Sequence, residues 1–380
     1  SFIDTAKQES VDTILEMAGH KTGGRAKKLI VAGCLVERYR NEIQKNIPEV
    51  DAVVGTGELE KILAAAGVTA PPSRVEPHDP RRVGHEDSPF RILNSSTASQ
   101  SLKSGIYSEQ KSGHAHTRAE GDAREAAGRF SRDEWDGAIH DLPNYLYDET
   151  TPRVLATPGH MAYIKIAEGC DHPCTFCIIP QLRGKFRSRR FESVIAEAEA
   201  LAKRGVKEIV LIGQDTTCYG EGLGLKDGLA LLLGRLAQIE DLRWVRFLYA
   251  YPNKITGKLL EVMATNEKVC SYMDVPLQHA SADVLKKMKR GASAEIFLKS
   301  IEKMRKAVPN LTLRTSFIVG FPGETAEDFD QLCEFVRAAQ FDWLGVFSYS
   351  DEEGAKAFHH DDKVPAREIE RRRRKLMQIQ

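Results

Sequence analysis

Apolar and polar positions alternate with two different periods along this chain, and they predict two regular blocks joined by a connector. Between residues 158 and 365, apolar runs of strand length alternate with segments whose apolar residues recur at helical spacing. The strand-like runs are MAYIKIA, KEIVLIG, WVRFLYAY, SYMDVPL, LTLRTSFIVGF and WLGVFSYS. The six resulting β/α units predict a barrel or partial barrel, in which residues with chemical roles collect where strands end.

A shorter block with the same alternation occupies residues 1–70. Its first helix is predicted from helical spacing of Val11, Ile14, Leu15 and Ala18. The strand-like runs KLIVAGCL and DAVVGT follow, and each precedes a helical segment, ERYRNEIQKN and ELEKILAAAG. Strands that alternate with helices predict a small parallel sheet. The expected fold class is therefore α/β in both blocks.

The connector, residues 71–157, is rich in Pro, Ser, Gly, His and mixed charges and poor in aliphatic residues. Such a segment cannot bury enough apolar surface to offset the entropy lost on ordering. We predict a mostly disordered, low-complexity linker, with LPNYLYD near its end as a local docking point.

Composition narrows the class of protein. Lys plus Arg and Asp plus Glu both number 54, so no global charge announces nucleic-acid binding. No apolar run approaches the roughly 18 residues of a membrane span, and the seven clustered cysteines fit a reducing compartment better than a disulfide framework. We expect a cytoplasmic protein without a membrane partner. Since the sequence opens on SFIDTAKQES, with no initiator Met or signal pattern, it is expected to be a piece of a longer polypeptide.

The segment EGCDHPCTFCII carries the most specific chemistry. Cys170, Cys174 and Cys177 follow the first strand of the second block with C-x3-C-x2-C spacing, which lets one loop surround a metal centre. Structural zinc normally takes four protein ligands, and His172 could be the fourth; a redox dithiol would leave one cysteine idle. Three thiolates on a cubane iron–sulfur cluster leave one iron open to chelate a small molecule.

This loop, placed after the first strand of a six-unit β/α barrel, resembles the radical S-adenosylmethionine (SAM) superfamily. Longer motifs narrow the resemblance to methylthiotransferases, closest to the RimO type; they are EGCDHPCTFCIIPQLRGKFRSR, VLIGQDTTCYG, YMDVPLQHASADVLKKMKR, LRTSFIVGFPGETAEDF and FDWLGVFSYSDEEG. The resemblance covers roughly residues 1–68 and 155–380. It implies a radical SAM partial barrel over residues 158–365, with SAM on the open iron of a 4Fe–4S cluster held by the three cysteines and cleaved to a 5'-deoxyadenosyl radical.

The implied activity is the addition of a methylthio group to the β-carbon of an aspartate in a small-subunit ribosomal protein. The alternatives are a MiaB-type enzyme acting on a tRNA adenosine, a SAM-cleaving enzyme without sulfur insertion, and a non-catalytic iron–sulfur scaffold that binds the ribosome. The runs YMDVPLQHAS, RTSFIVGF and SYSDEEG favour the protein-modifying branch over the tRNA branch. The implied partners are the ribosomal protein, either free or within the ribosome, and a reducing electron donor, and we expect a monomer.

The resemblance also implies roles for individual residues, although it assigns no acid or base. Cys34 matches the third ligand of a second 4Fe–4S cluster, whose other two cysteines would precede Ser1, so the amino-terminal domain is expected to be truncated and this chain to hold one cluster of two. Gln214 and Asp215 are expected to contact SAM or the substrate. Gly320, Gly323 and Glu324 are expected at the cofactor, although a purely structural turn would also account for them. A basic helix at residues 366–380 is expected to lead, exposed, into an absent TRAM domain after Gln380.

The remaining candidates come from the residues themselves. Thr325 is placed to cap the helix that follows the glycine-rich loop. Five basic residues after the cysteines could meet the SAM carboxylate, the substrate aspartate or ribosomal RNA, or form a solvated loop; they are Arg183, Lys185, Arg187, Arg189 and Arg190. Cys218, Cys270 and Cys333 are expected to be isolated core or surface thiols.

Overall fold

The computed structural model describes residues 4–56, 58, 61–67, 146–151 and 153–380. Most of the predicted connector therefore lies outside the described residues. Its last part contacts the barrel, since Lys165 lies over the ring of Tyr147 at 5.3 Å and Arg153 donates to the Tyr163 carbonyl at 2.9 Å. Tyr147 belongs to the predicted docking run LPNYLYD. Among the described residues, no helix combines the length and apolarity needed to cross a bilayer.

The amino-terminal block has the predicted βα alternation. Its elements are α1 (Asp4–Thr22), β1 (Ile30–Ala32), α2 (Cys34–Asn46), β2 (Ala52–Val54) and α3 (Lys61–Ala66). Strands β1 and β2 pair in parallel, with Val31 opposite Val53, and α1 and α2 cover a core that includes Val11, Val36 and Ile43. The predicted strand over KLIVAGCL is too long at its end. Gly33, at φ 122°, breaks the strand, so that Cys34 begins helix α2.

The second block contains all six predicted strands, which confirms the α/β class. They are β3 (Met161–Lys165), β6 (Glu208–Ile212), β7 (Trp244–Phe247), β8 (Tyr272–Asp274), β9 (Thr312–Val319) and β10 (Trp343–Ser348). Parallel pairing gives the orders β3-β6-β7 and β10-β9-β8. The two sheets meet where Ala250 donates to the Asp274 carbonyl at 2.8 Å and Val245 bridges Val269. The strands therefore form a curved partial barrel.

Helices cover the outside of these strands. They are α5 (Phe191–Lys203), α6 (Gly228–Leu236), α7 (Gly257–Thr265), α8 (Ala282–Lys287), α9 (Ala294–Ala307), α10 (Ala326–Ala339) and α11 (Ala366–Ile379), preceded by the short α4 (Ile179–Arg183). Thr325 caps α10 in a reciprocal capping box with Asp328, as predicted. The expectation that the basic helix α11 is exposed is wrong for one face, because Arg372 and Leu376 are buried against the barrel.

Candidate active site

The cysteine loop, residues 169–178, begins where the first barrel strand ends. A small antiparallel pair brackets it, β4 (Ala167–Glu168) with β5 (Arg187–Ser188). Gly169 has φ +79°, and a Cβ there would lie 2.2 Å from the carbonyl oxygen of Lys185. Only glycine permits this approach, which lets the amide of Cys170 donate to the Gly184 carbonyl at 3.2 Å. The loop therefore folds tightly back on its own return strand.

The loop presents three reduced, half-buried thiols. Cys170, Cys174 and Cys177 are free, and the backbone N–H groups of His172 and Ile179 donate to the sulfurs of Cys170 and Cys177. Burial raises the pKa of Cys170 to about 11 and that of Cys177 to about 12. These thiols stay protonated unless a cation stabilises the thiolates. Such a donor set is suited to a metal centre.

The distances among the sulfurs indicate whether the cysteines could all bind one metal ion. Among the described residues, the only three His, Cys, Asp or Glu donors within 4.8 Å of one another are those of His172, Asp215 and Cys218. The three loop sulfurs are therefore spread more widely than the roughly 3.8 Å that tetrahedral ligands of one zinc ion require. His172 also points to Asp215, at 2.6 Å, and not to the cysteines. This arrangement disfavours a single zinc ion held by the three cysteines and His172.

A stack of three side chains, not anticipated from the sequence, supports this loop. The ring of His172 stacks on Tyr251 with centroids 3.7 Å apart, and the guanidinium of Arg290 lies 4.3 Å from the same ring. Two planar groups this close must occupy opposite faces of the tyrosine. Arg290 also donates to the sulfur of Cys174 at 3.7 Å and to the Pro276 carbonyl at 2.6 Å. The stack thus joins two positions of the cysteine loop through the ends of β7 and α8.

Gln214 and Asp215 reach the cysteine loop from the end of β6. Gln214 accepts a hydrogen bond from the Gly169 amide at 2.9 Å. Asp215 is buried and accepts from His172, from Thr217 and from the thiol of Cys218 at 3.2 Å. Burial alone would raise the pKa of Asp215, but these hydrogen bonds, led by that from His172, lower it. Cys218 is buried, as expected of a core thiol, and it also belongs to this network.

The glycine loop, residues 320–324, follows β9 at the same end of the barrel. Oε2 of Glu324 accepts from the amides of Gly320 at 2.6 Å and Phe321 at 3.2 Å, and Oε1 pairs with Nη1 of Arg372 at 2.7 Å. The side chain of Glu324 has no exposed surface, so it shapes the loop from within. Direct cofactor contact by Gly320, Gly323 or Glu324 stays a prediction.

The two loops share one apolar cluster. Phe176 of the cysteine loop packs against a group that includes Phe321 of the glycine loop and Met288. The amide of Thr175 donates to the Met288 carbonyl at 3.2 Å, and its hydroxyl donates to the Lys287 carbonyl at 2.9 Å. The structure therefore brings the cysteines and the glycine-rich motif together, as the sequence predicted. Cys177 and Gly320 are 143 positions apart in the sequence.

The basic residues after the cysteines have different environments. Arg183 donates to the sulfur of Cys34 at 3.1 Å and to Glu168 at 3.2 Å. Arg189 is buried and bonds Ser193 and Glu197, so its predicted exposure to cofactor, substrate or RNA is wrong. Lys185 and Arg190 are exposed, and Arg187 donates to the carbonyls of Lys185 and Arg183.

Comparisons with known proteins place the chain among similar sequences. The Radical SAM superfamily matches residues 164–336, and the Uncharacterized protein family UPF0004 matches residues 1–55. The ribosomal protein uS12 methylthiotransferase RimO of Koribacter versatilis (strain Ellin345) is 76% identical over 380 residues, covering all of this chain and 71% of that protein. The RimO protein of Solibacter usitatus (strain Ellin6076) is 55% identical over the whole chain and 68% of its own length. Among solved structures, coproporphyrinogen III oxidase (HemN) from Escherichia coli has a TM-score of 0.43 and 17% identity over 57% of this chain and 50% of that one, a distant likeness.

Proposed function

This chain belongs to the RimO family of ribosomal protein uS12 methylthiotransferases, and we propose from that premise that it adds a methylthio group to the β-carbon of an aspartate in uS12. Its relatives at 76% and 55% identity carry the uS12 substrate in their names. The observation that carries the chemistry is the set of free thiols at Cys170, Cys174 and Cys177 at the end of β3. The tRNA-modifying alternative is not favoured, because the relatives act on a protein.

The family implies a 4Fe–4S cluster and SAM, and these cysteines would hold the cluster. When bound, the cluster offers an open iron for SAM and the reducing electron for radical chemistry at an unactivated C–H bond. The chain's own residues orient and shield the site. Backbone N–H groups and Arg290 donate to the sulfurs. The apolar side chains of Phe176, Met288 and Phe321 pack together and keep water from one side of the loop.

We further propose that Cys34 is one ligand of a second cluster. It begins α2 at the edge of the barrel site, where Arg183 donates to its sulfur. The guanidinium of Arg183 donates an N–H group to that sulfur, a charge-assisted contact of the kind that metal-bound thiolates accept. We also propose that the enzyme is a monomer and that it receives its reducing electron from a donor in the cytoplasm.

Anaerobic reconstitution tests the first half of this function. We expect about four irons and four sulfides per chain at the barrel site, with an EPR spectrum of the reduced protein that changes when SAM is added. Zinc in place of iron, or a spectrum indifferent to SAM, would overturn the radical assignment. Mass spectrometry of uS12 after incubation with the enzyme tests the second half, by the mass added to the target aspartate.

A pair of cysteine variants makes this test specific. Cys174→Ala removes one of three barrel ligands and should abolish both iron binding at that site and SAM cleavage. Cys270→Ser is the matched control, because Cys270 is also half-buried in the barrel but has no place in the loop. Retention of iron and SAM cleavage in Cys174→Ala would show that the assignment is wrong.

A further inference from the structure

The amino-terminal domain meets the barrel through a buried ion pair on helix α2. Nη1 of Arg38 lies 2.9 Å from Oε2 of Glu352, and the two side chains are only 3% and 5% exposed. Arg38 also donates to the carbonyl of Glu353 at 3.3 Å. Glu352 belongs to the run SYSDEEG, and Ser350 donates to its other carboxylate oxygen at 2.9 Å. A segment after β10 therefore receives a cation from a domain more than 300 residues away in sequence.

A second polar contact lies one helical turn away on α2. Cys34 and Arg38 are four residues apart and so share a face of the helix. Cys34 accepts from Arg183 of the barrel, and Arg183 is itself held by Glu168, which also pairs with Lys165. At Arg38 the helix supplies the cation, and at Cys34 the barrel supplies it. Because the cation comes from α2 in one contact and from the barrel in the other, the two contacts together fix the position and the rotation of α2 on the barrel.

The barrel side of these contacts is continuous with the cysteine loop. Arg183 ends α4, which follows Cys177 directly. Gln181 on the same helix donates to the carbonyl of Gly354 at 2.7 Å, next to the segment that binds Arg38. The amide of Ala357 donates to the carbonyl of Thr175, within the loop, at 2.9 Å. Residues 350–357 thus touch both α2 and the cysteine loop.

We infer that Arg38, Glu352 and Arg183 are positioning residues that hold Cys34 at a set place beside the cysteine loop. The inference rests on the proposed function only for the role of Cys34 as a cluster ligand. A buried ion pair adds little net stability, but its hydrogen bonds form in only one arrangement of the two surfaces, and changing one partner while the surfaces stay packed leaves the other charge poorly compensated. Groups held at the two cysteine sites must reach one substrate carbon, and small displacements of positioned groups cost large factors in rate.

Thiol labelling of the metal-free chain tests the docking without any enzymatic activity. The rate of iodoacetamide reaction at Cys34 is measured by peptide mass spectrometry, with Cys270 of the same molecule reporting global unfolding. We expect Arg38→Glu and Glu352→Arg each to raise the Cys34 rate relative to the Cys270 rate by about fivefold or more, because α2 leaves the barrel. The double variant Arg38→Glu/Glu352→Arg restores one pair of opposite charges but places a carboxylate near Glu353, whose Oε2 lies 3.9 Å from Nη2 of Arg38, so it should return the ratio part of the way toward that of the parent chain.

Two further variants keep this test decisive. Glu352→Gln removes the charge with little change in shape and so guards against unfolding of the amino-terminal domain by charge reversal. It should give a ratio of Cys34 to Cys270 rates between those of the parent chain and Glu352→Arg. Glu197→Gln breaks the buried pair of Arg189 and Glu197 within the barrel and should leave the ratio unchanged. Equal ratios in Arg38→Glu and Glu197→Gln, or no recovery in the double variant, would overturn the inference.

The role in the reaction has a separate readout. In enzyme that methylthiolates uS12, Arg38→Glu should retain SAM cleavage while methylthio transfer falls at least about tenfold, since only the relative placement of the two sites is lost. Equal loss of both activities would contradict a positioning role. A parent enzyme with no SAM cleavage would refute the proposed function instead, and the labelling result would stand.

Discussion

Two loops close the same end of the barrel, and each is built around one buried carboxylate with different partners. In the cysteine loop, Asp215 accepts from His172, Thr217 and Cys218, none of which is a permanent cation. In the glycine loop, Glu324 accepts from two backbone amides and from the buried guanidinium of Arg372. Glu324 has a fixed counter-charge from another helix.

This difference shows how the two halves of the site depend on the rest of the chain. The cysteine loop takes its support from the adjacent strand β6 and from Tyr251 and Arg290, all within the barrel. The glycine loop depends on α11, since Arg372 binds Glu324 and the side chain of Ile369 packs over Gly320. The last helix of the described chain is therefore part of the frame of the proposed cofactor site.

The largest effect is expected from removing the cation of the glycine loop. In Arg372→Met, Glu324 remains buried without its partner, so we expect the free energy of unfolding to fall by about 3–5 kcal/mol. In Asp215→Asn, the amide oxygen can still accept from Thr217 and the amide nitrogen can donate to His172 in its other tautomer. We expect that variant to lose about 1–2 kcal/mol. Urea unfolding followed by circular dichroism measures both values.

Lys375→Met is the matched control for the Arg372 variant. Lys375 lies on the same helix, but its ion pair with Asp330 is largely exposed, at 41% and 64% of the side chains. We expect its removal to change the free energy of unfolding by less than about 0.5 kcal/mol. A loss in Arg372→Met no greater than that in Asp215→Asn would mean that Glu324 carries no charge in the folded protein.

The next effect compares a glycine from each loop. Gly169 and Gly320 both have positive φ, but an added Cβ at Gly169 meets the backbone oxygen of Lys185, whereas at Gly320 it meets Cγ1 of Ile369 at 2.3 Å. A side chain can rotate away and a backbone cannot. We expect Gly169→Ala to lower the free energy of unfolding by about 2 kcal/mol or more and to impair iron binding, and Gly320→Ala to cost less.

A second substitution checks that reasoning. Replacing Ile369 by Ala removes Cγ1, Cγ2 and Cδ1, the three atoms nearest the added Cβ, so Gly320→Ala should cost less in that background than in the parent chain. No side-chain replacement at Lys185 can relieve the clash in Gly169→Ala, because the atom that the added Cβ meets is a backbone carbonyl oxygen. Equal losses in Gly169→Ala and Gly320→Ala would show that the positive φ alone sets the cost.

Periodicity predicted the elements better than their contacts. The six barrel strands and their helices follow from local alternation, and the proposed cysteine ligands were singled out by their spacing within eight residues. The partners of Arg38, Arg290 and Arg372 could not be read from sequence, because each arginine looks like a solvated charge until distant elements pack around it. The expectation of an exposed α11 was wrong for this reason: its arginines look alike in sequence, but only the face with Arg372 and Leu376 turns to the barrel.

The smallest expected effect is a pH dependence of the free energy of unfolding, which arises beside the glycine loop. His279 is buried behind the glycine loop, where Nδ1 accepts from the Ser281 amide and Nε2 lies 3.8 Å from Glu324, with Asp328 and Arg372 also facing it. Burial lowers the pKa of His279 to about 3.

Below about pH 6.5, the unfolded chain takes up a proton at His279 that the folded chain does not, so acid should favour unfolding through this residue. His279→Asn keeps an acceptor for Ser281 and cannot titrate. Between pH 6.5 and pH 5.5, we expect the parent chain to lose about 1 kcal/mol relative to this variant, as measured by urea unfolding at each pH. A constant difference between the two proteins would mean that a protonated His279 finds Glu324 as a partner, and that the carboxylate of the glycine loop can accept a second cation after all.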